Sequence, residues 1–360
     1  MSAADDALDD LLALARVPAP TFDEGERIEW LLRRLDGVPG RRRADAAGSL
    51  IWQFGQGRPR VLLLAHVDTV FARELPHEPV LEGARLRGPG VGDNAAAVVC
   101  AVHVVEQMAR ERSLEGLAVA FTVGEEGLGN LAGARAACAE LKPELVLALE
   151  GHGLMHVAVD AVGSLRARIA VYGPGGHSWA NRGRPSAIDE ACRIARALCR
   201  PPRREASTNI GRIEGGTAVN AIAARAELVI EQRALDEAVI TRFARALRLL
   251  AVEPPLTLEV ELLGRRPAGR LDRRQPLLAT VRRVREQLGL PDELVAASTD
   301  ANAALAAGIP ALCLGCAQGG EMHTPDEFIE VASLAAGREQ LRGVLAELLP
   351  APESRERISQ

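Results

Sequence analysis

The chain has 360 residues, 43 of them Lys or Arg against 48 Asp or Glu, which leaves a net charge of -5; 48% are hydrophobic and 25% charged. Such a length predicts two or three domains, and such a composition predicts a soluble globular protein. Dispersed arginine runs, an excess of acid over base, and only three Trp, one Tyr and six Phe argue against a nucleic-acid partner, and no apolar stretch reaches the roughly 18 residues of a membrane span.

The first ten residues are acidic and lack the basic, apolar and small-residue zones of a secretory signal, so the expected compartment is the cytoplasm. Residues 5–15 predict a helix. Thr21-Phe22-Asp23-Glu24 reads as a capping box that starts a second helix, with Ile28, Leu31, Leu32 and Leu35 on its apolar face. After turn-rich residues 36–48, two strands follow at 50–54 and 61–65, the second ending on His66. A glycine-rich loop at 87–93 feeds a helix at 95–109. A strand at 117–123 then ends on Glu125-Glu126, and a helix at 128–141 precedes a strand at 145–149 that ends on Glu150. Apolar, uninterrupted strands alternating with helices predict an α/β domain: a mostly parallel sheet covered by helices on both faces, with ligands beyond the carboxyl ends of its strands. His66, Glu125, Glu126 and Glu150 share that edge.

From 163 to 267 the pattern changes. A strand at 164–172, a helix at 185–198, strands at 210–214 and 226–233, a helix at 237–251 and a strand at 256–262 give the β-α-β-β-α-β order of a ferredoxin-like α+β unit. The expected domains are therefore 1–162 plus 268–360, interrupted by an insertion at 163–267. Helix and strand patterns resume at 277–288, 294–296, 301–307 and 309–314, and the chain closes on a helix at 331–349 with a frayed tail from 350. The six cysteines form no disulfide framework and read as small core residues of a reducing compartment. Cys313-Leu-Gly-Cys316 has redox or metal spacing, but it lacks a second pair and lies on an apolar strand.

The most informative feature is Glu125-Glu126, in Thr122-Val123-Gly124-Glu125-Glu126-Gly127. Neighbouring carboxylates raise each other's cost of ionisation unless a cation or a proton intervenes. An isolated pair of this kind is usually a solvated turn after a strand. Here it lies between His66-Val67-Asp68 and Met322-His323-Thr324, which favours a divalent metal: one carboxylate ligates, and its neighbour takes a proton as general base. A two-metal site also needs a carboxylate between the ions, and Asp93, in Gly90-Val91-Gly92-Asp93-Asn94, is the candidate. The same loop is a weaker phosphate site, because no Gly-Lys-Ser/Thr follows and Asp93 opposes an anion.

With these motifs the chain resembles, nearly end to end, the co-catalytic di-zinc exopeptidases and deacylases that include glutamate carboxypeptidase, peptidase T, succinyl-diaminopimelate desuccinylase, acetylornithine deacetylase and aminoacylase. The resemblance implies that His66, Asp93 and Glu150 hold one metal ion and Asp93, Glu126 and His323 the other, with zinc first and cobalt or manganese as alternatives. It implies that Asp68 fixes the tautomer of His66 and that Glu125 is general base and later acid. The insertion is implied to be a lid and dimerisation domain of a homodimer. Within it, Gly173-Pro-Gly-Gly-His177-Ser178 is similar to the motif whose histidine reaches the partner subunit's site to polarise the scissile carbonyl. Asn220, in Thr217-Ala-Val-Asn220-Ala-Ile, and Arg233 are similar to residues that bind the substrate's carboxylate and carbonyl. Ser298-Thr-Asp-Ala-Asn302 resembles a loop that cradles the substrate.

There are two departures from that pattern. Asp93-Asn94-Ala95-Ala96 stands where the family commonly has Asp-x-Lys, and Glu150 stands where peptidase T and the dipeptidases usually carry Asp, which favours the carboxypeptidase and deacylase branches. The implied activity is a carboxypeptidase-like exopeptidase acting on short peptides with a free carboxylate, in which a water between the ions gives its proton to Glu125. The alternative is an N-acyl amino acid deacylase. A catalytically silent metal- or peptide-binding relative is the reading from another class, and the retention of Glu125 argues against it. Of the other histidines, His77 and His103 read as surface or core-edge residues, and His152 and His156 follow Glu150 closely enough for His152 to support the ligands.

Overall fold

A computed structural model describes residues 3–199 and 205–349 of the chain; the tail expected to fray from 350 lies outside them. The chain divides into two compact units, Met1–Asp160 with Arg270–Gln360, and Ala161–Gly269.

In the first unit the spatial order of the main sheet is Arg41–Ala44, Leu50–Gln53, Leu117–Thr122, Val61–His66, Leu145–Glu150, Ala311–Gly315 and His156–Ala161, with Glu293–Ala297 paired to the last. Leu117–Thr122, Val61–His66, Leu145–Glu150 and Ala311–Gly315 run parallel to one another, whereas the flanking strands join antiparallel. The sheet is therefore mixed rather than mostly parallel. Connection length explains the difference. A strand parallel to the one before it needs a crossover of about a dozen residues; the links at 45–49, 54–60 and 151–155 are too short for one, so each turns the chain back, although only the first joins strands that are neighbours in the sheet. In the first link Asp45 accepts the N–H groups of Ala47 and Ser49 and turns the chain straight back, so that the basic residues of Arg41–Ala44 form an edge strand where only turns are expected.

The central strands are apolar throughout because both faces are covered. Val61, Leu63, Leu117 and Val119 share a core with the helices Ala3–Ala15, Gly25–Arg34, Ala97–Glu111, Pro276–Gln287 and Ser333–Leu348. Leu62, Leu64, Ala118 and Ala120 share another with Ala132–Leu141 and Ala301–Ala306. Each fully buried leucine contributes about 1.5–3 kcal/mol, which fixes the register and hence the height at which each strand ends. The expected capping box does not form: the helix begins at Gly25, and Thr21 and Glu24 bond elsewhere. A small antiparallel sheet, ordered Gly319–Gly320, Phe328–Glu330, Arg85–Arg87 and Val80–Glu82, was not legible as strands. It ties the segment before the glycine-rich loop to the segment after His323.

The second unit is an antiparallel sheet ordered Ala206–Gly215, Arg225–Ala234, Gly163–Tyr172 and Thr257–Arg266. Ala187–Cys199 and Glu237–Arg248 pack on its apolar face, where Leu165, Ile169, Leu228 and Ile230 are buried. A two-residue ladder, Gly176–His177 with Ala221–Ile222, stands beside this sheet. Among the cysteines, Cys100, Cys138, Cys313 and Cys316 are buried, but Cys192 is exposed and is no core residue. No helix among the described residues is long and apolar enough to cross a membrane.

Candidate metal centre

The parallel register Leu64↔Ala148 brings the ends of two strands level, so that His66 and Glu150 face each other two residues further on. His66 Nε2 lies 3.5 Å from Glu150 Oε2 and 3.1 Å from Asp93 Oδ1. The other oxygen of Asp93, Oδ2, lies 3.1 Å from His323 Nε2, which in turn is 3.4 Å from Glu126 Oε1. Asp93 thus turns each of its oxygens to a different imidazole. Three groups of potential metal ligands result, each with its ligand atoms within 4.8 Å of one another: His66, Asp93 and Glu150; Asp93, Glu126 and His323; and His66, Glu125 and Glu126. The donor set fits divalent ions. Asp93 Oδ1 is buried and accepts no hydrogen bond, although His66 Nε2 is only 3.1 Å away. Two donors that converge without bonding to each other suit a shared cation, and imidazole with carboxylate suits zinc, cobalt or manganese.

Asp68 is fully buried beneath these groups. Its Oδ1 accepts the Glu125 N–H at 3.0 Å, and its Oδ2 accepts the Glu126 N–H at 2.8 Å and the Thr21 hydroxyl at 3.0 Å. His66 Nδ1 lies 3.1 Å from the Asp68 backbone oxygen and 3.4 Å from Oδ1. Asp68 therefore holds the backbone of the Glu pair as well as facing the imidazole. Glu24 accepts the Gly124 N–H at 2.9 Å, just ahead of that pair. Asp93 itself lies in a wide turn, Val91–Ala96, that leads into Ala97–Glu111, and the buried Asn94 amide donates to the Leu149 carbonyl at 2.9 Å.

Thr21, Glu24, Arg27 and Glu327 went unread in the sequence. The first two sit in a pattern that also spells a helix cap. Arg27 occupies a helix position that composition assigns to solvent, yet it is fully buried, donating to the Val17 and Val67 carbonyls. Burial lowers its pKa to about 10, opposed by the charges of Asp68, Glu327 and Asp93. It is a cation at neutral pH. His77, expected at the surface or the core edge, is buried against the Ala72 carbonyl, and His103 pairs with Asp10 at 2.7 Å.

Burial works against a charged His66, but Asp68, Asp93 and Glu150 together hold its pKa well above the ordinary histidine value. His323 is raised to about 10 by Asp93 and Glu126. Burial also disfavours the Asp93 carboxylate, yet His323 and His66 outweigh it and hold that group far below the usual carboxylate range. Glu150 is pushed up to about 7, chiefly by burial. The cluster draws positive charge to its centre.

In the second unit, His177 is exposed, and its Nδ1 accepts the Trp179 and Ala180 N–H groups at 3.1 and 3.3 Å. Asn220 is adjacent, its carbonyl accepting the Ser178 N–H at 2.9 Å beside the pairing His177↔Ala221. Arg233 is apart from both. The strand that begins at Arg225, close to Asn220 in sequence, carries it eight residues away, about 26 Å at the usual strand rise, where it pairs with Glu231 at 2.8 Å.

Residues 62–347 match the peptidase family M20/M25/M40, and the chain belongs to that family. It is a metal-dependent peptidase or amidohydrolase. The chain is 26% identical, over 348 residues that cover 95% of it and 96% of the relative, to a candidate LysW-lysine/LysW-ornithine hydrolase of Pyrobaculum aerophilum. A tripeptidase from Staphylococcus aureus superposes with a TM-score of 0.80 at 20% identity, covering 96% of this chain and 98% of that one. An M20 family metallo-carboxypeptidase from Sulfolobus solfataricus does so with a TM-score of 0.77 at 12% identity, covering 96% and 99%. These solved structures share the fold.

Proposed function

We propose that the protein is a carboxypeptidase-like exopeptidase of short peptides, working as a homodimer with two divalent ions, zinc first. His66, Asp93 and Glu150 would hold one ion, and Asp93, Glu126 and His323 the other. The observation that carries this reading is Asp93, whose two oxygens face two different histidine–carboxylate groups with Glu125 alongside. When bound, such ions polarise a carbonyl and lower the pKa of water towards about 7.

Glu125 is the base in this account. Its backbone N–H is held by Asp68 and its carboxylate lies within 4.8 Å of ligand atoms of His66 and Glu126, which supports a role in taking the proton of the attacking water and returning it to the leaving amine nitrogen. The two N–H groups donated to His177 Nδ1 leave the ring proton on Nε2, so that His177 can donate a hydrogen bond to the carbonyl oxygen as negative charge develops there. Asn220 stands beside it for the same carbonyl. Arg233 offers a two-pronged guanidinium to the substrate's carboxylate, exchanging its partner Glu231 for it. The separation of Arg233 from His177 supports a homodimer, in which one second unit serves two different sites.

A second reading, an N-acyl amino acid deacylase, is favoured by the likeness to a relative named for LysW-lysine and LysW-ornithine. The test is hydrolysis of di- and tripeptides and of N-acetyl and N-succinyl amino acids by metal-depleted protein, with and without added zinc, cobalt or manganese. Metal-restored release of the C-terminal residue is the expected result. Cleavage confined to acyl amino acids would transfer the protein to the deacylases, and no cleavage with metal bound would make it a binding relative.

A further inference from the structure

We propose that Glu327 is a positioning residue that locks three ligand-bearing loops together and thereby sets the geometry of the metal centre; this rests on the two-ion reading of the site. Glu327 is fully buried and lies four residues beyond His323. Its carboxylate does not point back to that histidine's ring. Instead Oε2 accepts the Gly90 N–H at 2.8 Å, while Oε1 accepts the Gly92 N–H at 3.0 Å, the Asp93 N–H at 2.6 Å and His152 Nε2 at 2.7 Å. The Glu327 backbone carbonyl adds a bond from the Gly88 N–H at 2.8 Å. The carboxylate thus gathers the loop that ends in Asp93 and the loop that follows Glu150 onto the segment that carries His323.

This contact also accounts for the glycine-rich loop. Successive backbone N–H groups turned to one side form a nest for an anion, and here the anion is a carboxylate of the chain itself rather than a phosphate. Gly92 is required by the fit, because a Cβ there would stand 2.1 Å from His152 Nε2 and 2.7 Å from Glu327 Oε1. The buried guanidinium of Arg27 interacts electrostatically with Glu327, Asp68 and Asp93, so the anion is not left without a counter-charge. A carboxylate with four donors is more than closure of a loop needs. What it fixes is the position of Asp93, which belongs to two of the ligand groups and turns one oxygen to each of two imidazoles.

The test compares wild type with Glu327→Gln, which keeps the volume but exchanges an acceptor oxygen for an NH2 group facing donors. Two readouts are used: calorimetric titration of metal-depleted protein with zinc, and the visible absorption spectrum of the cobalt-loaded form. Loss of a residue that supports ligands typically weakens metal binding about 10- to 100-fold. The expected result is a loss of that size with a shifted cobalt spectrum, in a protein whose circular dichroism is unchanged. Arg285→Met, which removes a buried guanidinium bound to the Pro291 carbonyl, should lower Tm while leaving the spectrum alone. If Glu327→Gln does not fold, His152→Ala, which removes one of the four donors, should give a smaller loss of affinity and a shifted spectrum. Wild-type affinity and spectrum in a folded Glu327→Gln, or in His152→Ala, would overturn the proposal while leaving the two-ion reading intact. A wild type that binds no ion would remove both.

Discussion

In the first unit His66, Asp68, Glu125 and Glu126 are buried, and Asp68 alone receives three hydrogen bonds that hold its neighbours in place. In the second unit His177, Asn220 and Arg233 are exposed, and Arg233 is engaged by the half-buried Glu231, which also pairs with Arg166. Burial makes an unpaired charge costly, so the groups of the first unit fix one another before any substrate arrives. Exposed pairs contribute only about 0–1 kcal/mol and can be exchanged. On the proposed reading, proton transfer belongs to the pre-fixed groups of the first unit, while the exposed residues of the second are free to change partners when substrate binds.

Substitutions can break or sharpen that contrast. The largest effect is expected from Glu125→Gln, a fall in turnover of about 10²–10⁴-fold with both ions retained, read from steady-state kinetics beside metal analysis; undiminished turnover would end the role. His177→Ala should lower kcat by about 10²-fold with metal content unchanged, as for loss of one donor to a developing oxyanion, and an effect on KM alone would recast it as a binding residue. Arg233→Met should act on KM, by about 10- to 100-fold, the scale of a charge-assisted hydrogen bond. An unchanged KM for substrates with a free carboxylate would remove Arg233 from recognition.

The smallest effect lies far from the site. Burial tends to raise the Asp10 carboxyl, but hydrogen bonds from His103 and Arg34 hold it below its usual value. A carboxyl depressed on folding stabilises above its unfolded pKa of about 3.9, and that contribution is lost as the pH falls through the lower folded value. Asp10→Asn should therefore lower Tm slightly at pH 7, by no more than about 1 kcal/mol in stability, and not at all near pH 2. A difference from wild type that persisted there would show that the loss is one of packing.

The residues at the strand ends were legible because parallel α/β order fixes where ligands meet, and because His66, Glu125-Glu126 and Glu150 each directly follow an apolar run. Asp93 could be read from its glycines. The mixed sheet was not legible, since pairing direction depends on link lengths while the apolar runs look alike either way. Thr21 and Glu24 spell a cap and act instead on Asp68 and Gly124. Glu327, in Thr324-Pro325-Asp326-Glu327, has the composition of a solvated turn. It is buried because the small sheet around Phe328–Glu330 folds it under residues some 235 positions earlier, as in the Gly92 contact, and no local pattern records that.

The central claim is that Asp93 serves two ions at once. The most direct measurement is a zinc titration of metal-depleted wild type, His323→Ala and Asp93→Asn, following stoichiometry and affinity together. Two ions should bind per wild-type chain, one should be lost from His323→Ala with the other retained, and both should be weakened in Asp93→Asn. A wild type that takes a single ion, or an Asp93→Asn that holds two with unchanged affinity, would contradict the account.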